Sequence, residues 1–174
     1  MPKIKRLIWL MTAPFVAFFP LPAPLPAADT VPANLFNIGD SIGEGEAADG
    51  AIGVANHQSV WSTGYQAGDA VVSLNERFEE KRPTDFYENN AARDAVFNRA
   101  ESGAVMADFA AQAQAIVSAA ATTPSGSAGM VAILLGANDV CADSLDAMTP
   151  PEQFEARFRA GLDVLAASDA TRNA

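Results

Sequence analysis

The chain has 174 residues, 49% of them hydrophobic, which suits one domain or part of one and is ample for a core. Acidic residues outnumber basic ones 21 to 11, for a formal net charge of -10, and such a surface repels phosphate backbones, which argues against nucleic-acid binding. One cysteine, Cys141, excludes an internal disulfide framework, and no grouping of His, Cys and carboxylates has metal-ligand spacing, so neither a metal nor another cofactor is expected.

Lys3, Lys5 and Arg6 precede a nearly unbroken apolar run from Leu7 to Phe19, and small residues follow at 22–28. That order reads as a secretory signal. Residues 1–28 are taken as a signal peptide cut after Ala27 or Ala28, and 29–174 as the mature domain of a secreted or periplasmic protein. A retained anchor over Leu7–Leu25 is the alternative. Pro14, Pro20, Pro22 and Pro24 weigh against it, so no stable membrane span is expected after cleavage.

Leu35–Ile38 is a short strand candidate ending at Gly39. Residues 42–68, rich in Gly, Ala, Asn and Ser, read as a long irregular loop, and its Trp61 and Tyr65 are candidates for shaping a pocket. A helix is predicted over Asp69–Glu80, with Val71, Leu74 and Phe78 on one face. The polar stretch Asp85–Asp94 is a connection or short helix, and Ala95-Val96-Phe97 a second strand candidate. Ala104–Ala121 has Val105, Phe109, Gln112, Ala113, Ile116 and Ala120 at helical spacing. Met130–Leu135 reads as an apolar strand covered on both faces. Thr149-Pro150-Pro151-Glu152 reads as a capping box, with Phe154, Phe158, Leu162 and Leu165 as the stripe of the helix it opens. Strand and helix alternate three times, the signature of a parallel sheet with helices on both faces.

Three residues each follow a predicted strand: Ser41, Gly103 and Asn138. In a doubly wound sheet the carboxyl ends of the strands share one edge, where ligands bind. Ser41 in a glycine-flanked turn could act as a nucleophile. Its amide, the Gly103 amide and the Asn138 side-chain NH2 could point at one oxygen and form an oxyanion hole. Each also has a plainer role as a turn residue. Gly39-Asp40-Ser41-Ile42-Gly43 matches the G-x-S-x-G elbow of α/β-hydrolases as a string. Its place after the first strand does not fit that fold, where the serine follows several strands.

Asn37-Ile38-Gly39-Asp40-Ser41, Asn98-Arg99-Ala100-Glu101-Ser102-Gly103-Ala104 and Leu135-Gly136-Ala137-Asn138-Asp139 together resemble the SGNH hydrolases of the GDSL esterase/lipase family. Asn138-Asp139-Val140-Cys141 is similar to the phospholipase-B-like branch. The resemblance spans about residues 34–167. It implies a three-layer α/β/α sandwich, flavodoxin-like, with a five-stranded parallel sheet. It implies cleavage of small-molecule or lipid carboxylic esters, with Ser41 attacking and Ser41, Gly103 and Asn138 holding the oxyanion.

The family's late Asp-x-x-His segment, which supplies base and orienting carboxylate, has no counterpart here. His57 is the only histidine and lies in the loop after the first strand. The expectation is a truncated product or a fragment, lacking the C-terminal part of the sandwich and weak as a catalyst. Two other readings keep the scaffold: a ligand-binding pseudoenzyme of the envelope, and an acyltransferase or carbohydrate deacetylase. Substrate-binding residues, oligomeric state and the roles of His57 and Cys141 are not assigned by the sequence.

Overall fold

The computed structural model describes residues 31–81, 88–90 and 96–174. The signal-peptide reading of residues 1–28 and the strand candidate's first residue, Ala95, lie outside them. In chain order the described residues form β1 (Phe36–Gly39), α1 (Ser41–Glu44), α2 (Leu74–Lys81), α3 (Phe109–Ala120), β2 (Val131–Leu134), α4 (Ala137–Val140) and α5 (Pro151–Ala167), joined by turns and short 3-10 segments.

β1 and β2 pair in parallel, Phe36 opposite Val131 and Gly39 opposite Leu134. On the far side of β1 a third segment runs alongside. The Asn37 amide donates to Phe97 O at 2.8 Å, Arg99 N to Asn37 O at 2.9 Å and Glu101 N to Gly39 O at 3.2 Å. β1 is therefore the middle of the described sheet, and all four of its residues are buried. The expected strand Ala95–Phe97 is corrected here: Val96 and Phe97 form a turn, and pairing is a single bridge from Asn37 to Asn98. Phe97 packs its ring on Phe36, with centroids 5.0 Å apart.

Side chains alternate across the sheet, as strand geometry requires. Phe36 and Ile38 join Phe109, Ala113, Ile116 and Leu165 in the main core, so α3 and α5 cover that face. Leu35 and Ala132 face the other way, against Trp61 and the Leu74 and Phe78 side chains of α2. Helices thus cover both faces of a parallel sheet, the α/β/α layering expected from the strand–helix alternation. β2 is shorter than the expected Met130–Leu135. It is also less covered: the α2 face reaches Ala132 but leaves Leu134 42% exposed.

α2 starts five residues after the expected Asp69. Asp69 Oδ1 accepts from Val71 N, holding a turn, and Ser73 then caps the helix: its Oγ accepts from Glu76 N while Glu76 Oε2 accepts from Ser73 N. This is a reciprocal capping box. The box expected at Thr149 and Glu152 does not form, because a residue before proline stays extended. Pro150 keeps ψ at 143°, the helix begins at Pro151, and no side chain caps it. The α5 stripe is also turned from the expected one. Gly161 faces Phe109 so closely that a Cβ there would lie 2.2 Å from the ring, and this seat turns Leu162 outward and leaves Phe158 at the rim.

Candidate active site

Ser41 opens α1 directly beyond the end of β1. Asp40, 1% exposed, adopts an extended conformation and its Oδ1 accepts from the Ile42 amide at 3.0 Å. This capping stops β1 and turns the chain into a single helical turn, leaving Ser41 half-buried at the sheet edge. Two buried amides hold the turn from behind. Asn37 Nδ2 and Asn98 Nδ2 each donate to Gly43 O at 2.9 Å, and Asn37 Nδ2 also donates to Asn98 Oδ1 at 3.0 Å. A side chain on Gly43 would sit 2.8 Å from the Ala100 Cβ, so the close approach of the turn to this segment requires glycine.

Gly103 sits in the turn after the Asn98 bridge, closed by Ala104 N donating to Glu101 O at 3.1 Å. Its φ is +83°, in the left-handed region, and no atom lies within 4 Å of where its Cβ would be. Glycine is needed there for its conformation, not for room. The residue is exposed and lines a pocket of about 190 Å³ with Glu101, Ser102, Ala104 and Asp108.

Asn138 is the second residue of α4, which follows β2 through Gly136 at φ 122°. Its Nδ2 donates to Ala104 O at 2.9 Å. A side-chain amide has two N–H donors, so one remains for a ligand. The next residue, Asp139, is 2% exposed and its Oδ2 accepts from Met106 N at 2.7 Å. Asn138 and Asp139 therefore grip the Gly103 loop at two points. Three segments far apart in sequence lie at the carboxyl ends of three neighbouring parallel segments, with the Gly103 loop bonded to the other two.

His57 stands apart from this arrangement. It begins a 3-10 turn, His57–Ser59, next to Asn56, whose carbonyl packs against Gly45 at the end of α1. Its Nδ1 is buried without a hydrogen-bond partner, and among the described residues no hydrogen bond joins it to Ser41. Cys141 is exposed at the end of α4. Among the described residues no group of three or more His, Cys, Asp or Glu could hold a metal ion, and no helix is long and apolar enough to cross a membrane.

A model of the GDSL-like lipase/acylhydrolase family matches residues 35–168, well over half of the chain. The chain belongs to this family. No curated protein and no solved structure matches it. As a GDSL-like acylhydrolase it is a hydrolase of the esterase and lipase kind, with the α/β fold of that family and small esters as the general class of substrate.

The sequence reading missed the residues that hold the site in place. Asn37, Asn98, Gln112 and Asp139 are all buried, and their backbone partners are Gly43, Gly39 and Met106. The one signal for Asn37 was a polar residue inside an apolar strand. For Gln112 it was a polar residue on the apolar face of a helix, where a buried side chain must find a partner.

Proposed function

We propose that this acylhydrolase is an exported serine esterase or lipase that cleaves carboxylic esters through an acyl-enzyme on Ser41. The observation that carries the reading is the contact between Asn138 and the carbonyl of Ala104, next to Gly103, on the sheet edge where Ser41 also stands. Export rests on the basic, apolar, small-residue order of residues 1–28.

In this mechanism the Ser41 Oγ attacks the ester carbonyl, and its proton passes to water, which returns one to the departing alcohol. Negative charge gathers on the carbonyl oxygen, held by the Ser41 and Gly103 amides and the free Asn138 N–H. Collapse expels the alcohol and leaves an ester on Ser41, which water cleaves to release the acid. The competing reading is a ligand-binding protein on the same scaffold, and it draws on His57, which among the described residues makes no hydrogen bond to Ser41.

Incubation with p-nitrophenyl acetate followed by peptide mass analysis tests the proposal. The expected result is one acetyl group on Ser41, with none on the Ser41→Ala protein. A Ser41→Ala variant that releases p-nitrophenolate as fast as the wild type would sink it.

A further inference from the structure

Two glutamates on the Ser41 turn hold the Gly103 loop. Glu44 ends α1, and its Oε2 accepts from the Ser102 amide at 2.7 Å. Glu46 reaches the same residue from the following turn. Its Oε2 accepts from the Ser102 hydroxyl, its Oε1 accepts from Gly53 N at 3.0 Å, and its own amide donates to Ser41 O at 2.9 Å. A continuous line of bonds runs from the Ser41 backbone through Glu46 to Ser102, the residue before Gly103.

The turn that aims Glu46 carries a second mark. Ala47 has φ of 61°, the one non-glycine residue in the left-handed region among the described residues. An alanine adopts that conformation at a cost and keeps it only where its surroundings impose it. Here the Gly53 bond to Glu46 and the Ala47 N bond to Val54 O, at 3.4 Å, close the same turn.

Gly103 needs such a brace. It is exposed, and nothing packs against its Cα on the Cβ side. Its loop is tied on one side by Asn138 and Asp139 and on the other by these glutamates. Oxyanion stabilisation works only with donors already aimed at the developing charge, and a displacement of about 1 Å can cost on the order of 100-fold in rate. Hydrogen bonds to carboxylates are among the stronger ties available at a surface.

The geometry points to Glu44 and Glu46 as positioning residues that set the Gly103 amide relative to Ser41. The inference rests on the esterase reading of Ser41 and Gly103. Both carboxylates act through Ser102 and touch no reacting atom.

The test measures the rate of Ser41 acetylation by p-nitrophenyl acetate in the wild type, the Glu44→Ala/Glu46→Ala double variant and the matching double Gln variant. The alanine pair should slow the maximal rate about 10- to 100-fold, with half-saturation changed by less than about twofold, because the loss is one of alignment and not of binding. The glutamine pair, which keeps an acceptor oxygen at both positions, should recover most of the rate. An alanine pair as fast as the wild type overturns the inference, and so does a glutamine pair as slow as the alanine pair.

Exchange of the Ser102 amide, followed by NMR, separates the brace from the chemistry. In Glu44→Ala it should speed by about tenfold, the scale of one lost hydrogen bond to a charged group. Should wild-type Ser41 take up no acetyl group, the esterase reading fails and this exchange alone judges the brace. Unchanged exchange then overturns it.

Discussion

Gln112 holds Gly39 by both backbone groups. Its Oε1 accepts from the Gly39 amide at 3.0 Å and its Nε2 donates to the Gly39 carbonyl at 2.9 Å. The side chain comes from the first turn of α3, is 7% exposed, and reaches the last residue of β1. Two residues later the chain presents Ser41. Glu101 N also donates to the Gly39 carbonyl, at 3.2 Å, so removing Gln112 orphans the amide more than the carbonyl. Gln112→Leu keeps the volume and apolar fit but leaves that buried N–H without a partner, at a cost of about 1–3 kcal/mol. Thermal unfolding should fall by about 2–4 °C for each kcal/mol in a domain of this size. Gln112→Glu keeps the acceptor and puts an oxygen against the Gly39 carbonyl, so it should be the worse of the two. A Glu variant as stable as the wild type would show that the amide orientation is reversed or unimportant.

Gly161 is where α5 meets α3. An added methyl would lie 2.2 Å from Phe109 Cδ1 and 2.6 Å from Cε1. Phe109 is fully buried and cannot swing clear. Overpacking of this kind costs about 1–3 kcal/mol, against which alanine gains roughly 1 kcal/mol of helix propensity over glycine. Gly161→Ala should therefore destabilise on balance, and chemical denaturation should show a lower midpoint with an unchanged slope. Pairing it with Phe109→Leu should return part of the loss, a coupling visible in a double-mutant cycle. A more stable Gly161→Ala protein would mean that the helices part easily and that propensity decides.

These contacts show what was legible in the sequence and what was not. The strand around Phe36–Gly39, the apolar strand near residue 131 and the α3 face of Phe109, Ala113 and Ile116 follow from local period and hydrophobicity. The positions of Ser41 and Asn138 beyond β1 and β2 are legible because Gly-Asp-Ser and Gly-Ala-Asn-Asp interrupt apolar runs with turn chemistry, whereas Gly103 follows a single bridge where a strand is expected. The Asn98 segment was misplaced by a residue or more. Its pairing is made by backbone around Asn98, Arg99 and Glu101, which carry no strand signal of their own. The rotation of α5 was hidden because it depends on Gly161 meeting a ring on another helix. Periodicity within one element carries no record of the partner's shape. The capping box at Ser73 and Glu76 is readable in the sequence, and it places the start of α2 after Ser73.

Asn138 carries two duties in this geometry. One Nδ2 hydrogen holds the Ala104 carbonyl, and the proposed site uses the other for the oxyanion. Asn138→Ala should reduce the rate of Ser41 acylation about 100- to 1000-fold, the range for loss of one oxyanion donor. Stability should change far less, because the side chain is half-buried and loses one bond. Asn138→Asp keeps the size but removes both donors and faces a carboxylate toward the Ala104 carbonyl, so it should rescue nothing. A rate loss below about threefold in Asn138→Ala, too small for a lost donor, would reduce Asn138 to a loop tether.

The Asn37 and Asn98 side chains meet on one acceptor, the Gly43 carbonyl, and on each other. Asn98 Oδ1 also accepts from Ala100 N at 3.0 Å, so this amide uses donor and acceptor together. Both residues are buried, Asn37 completely and Asn98 to 5% exposure, so lost bonds are not replaced by water. Asn98→Asp preserves the acceptor toward Asn37 and Ala100 but turns an oxygen toward the Gly43 carbonyl. Asn37 still donates to that carbonyl, so the lost bond should cost about 0.5–1.5 kcal/mol, and the buried charge more. Because the pair shares one acceptor, the two alanine variants should not add. Asn37→Ala with Asn98→Ala should differ from the sum of the single losses by about 0.5–3 kcal/mol, because the bond between the two side chains is lost in either single variant and the Gly43 carbonyl is orphaned only when both are gone. The same variants should slow Ser41 acylation, since Gly43 O is the point by which the sheet holds the turn that presents Ser41. Strict additivity in the cycle, read by urea unfolding, would mean that each amide serves its own neighbours and that the shared grip on the turn is not a unit.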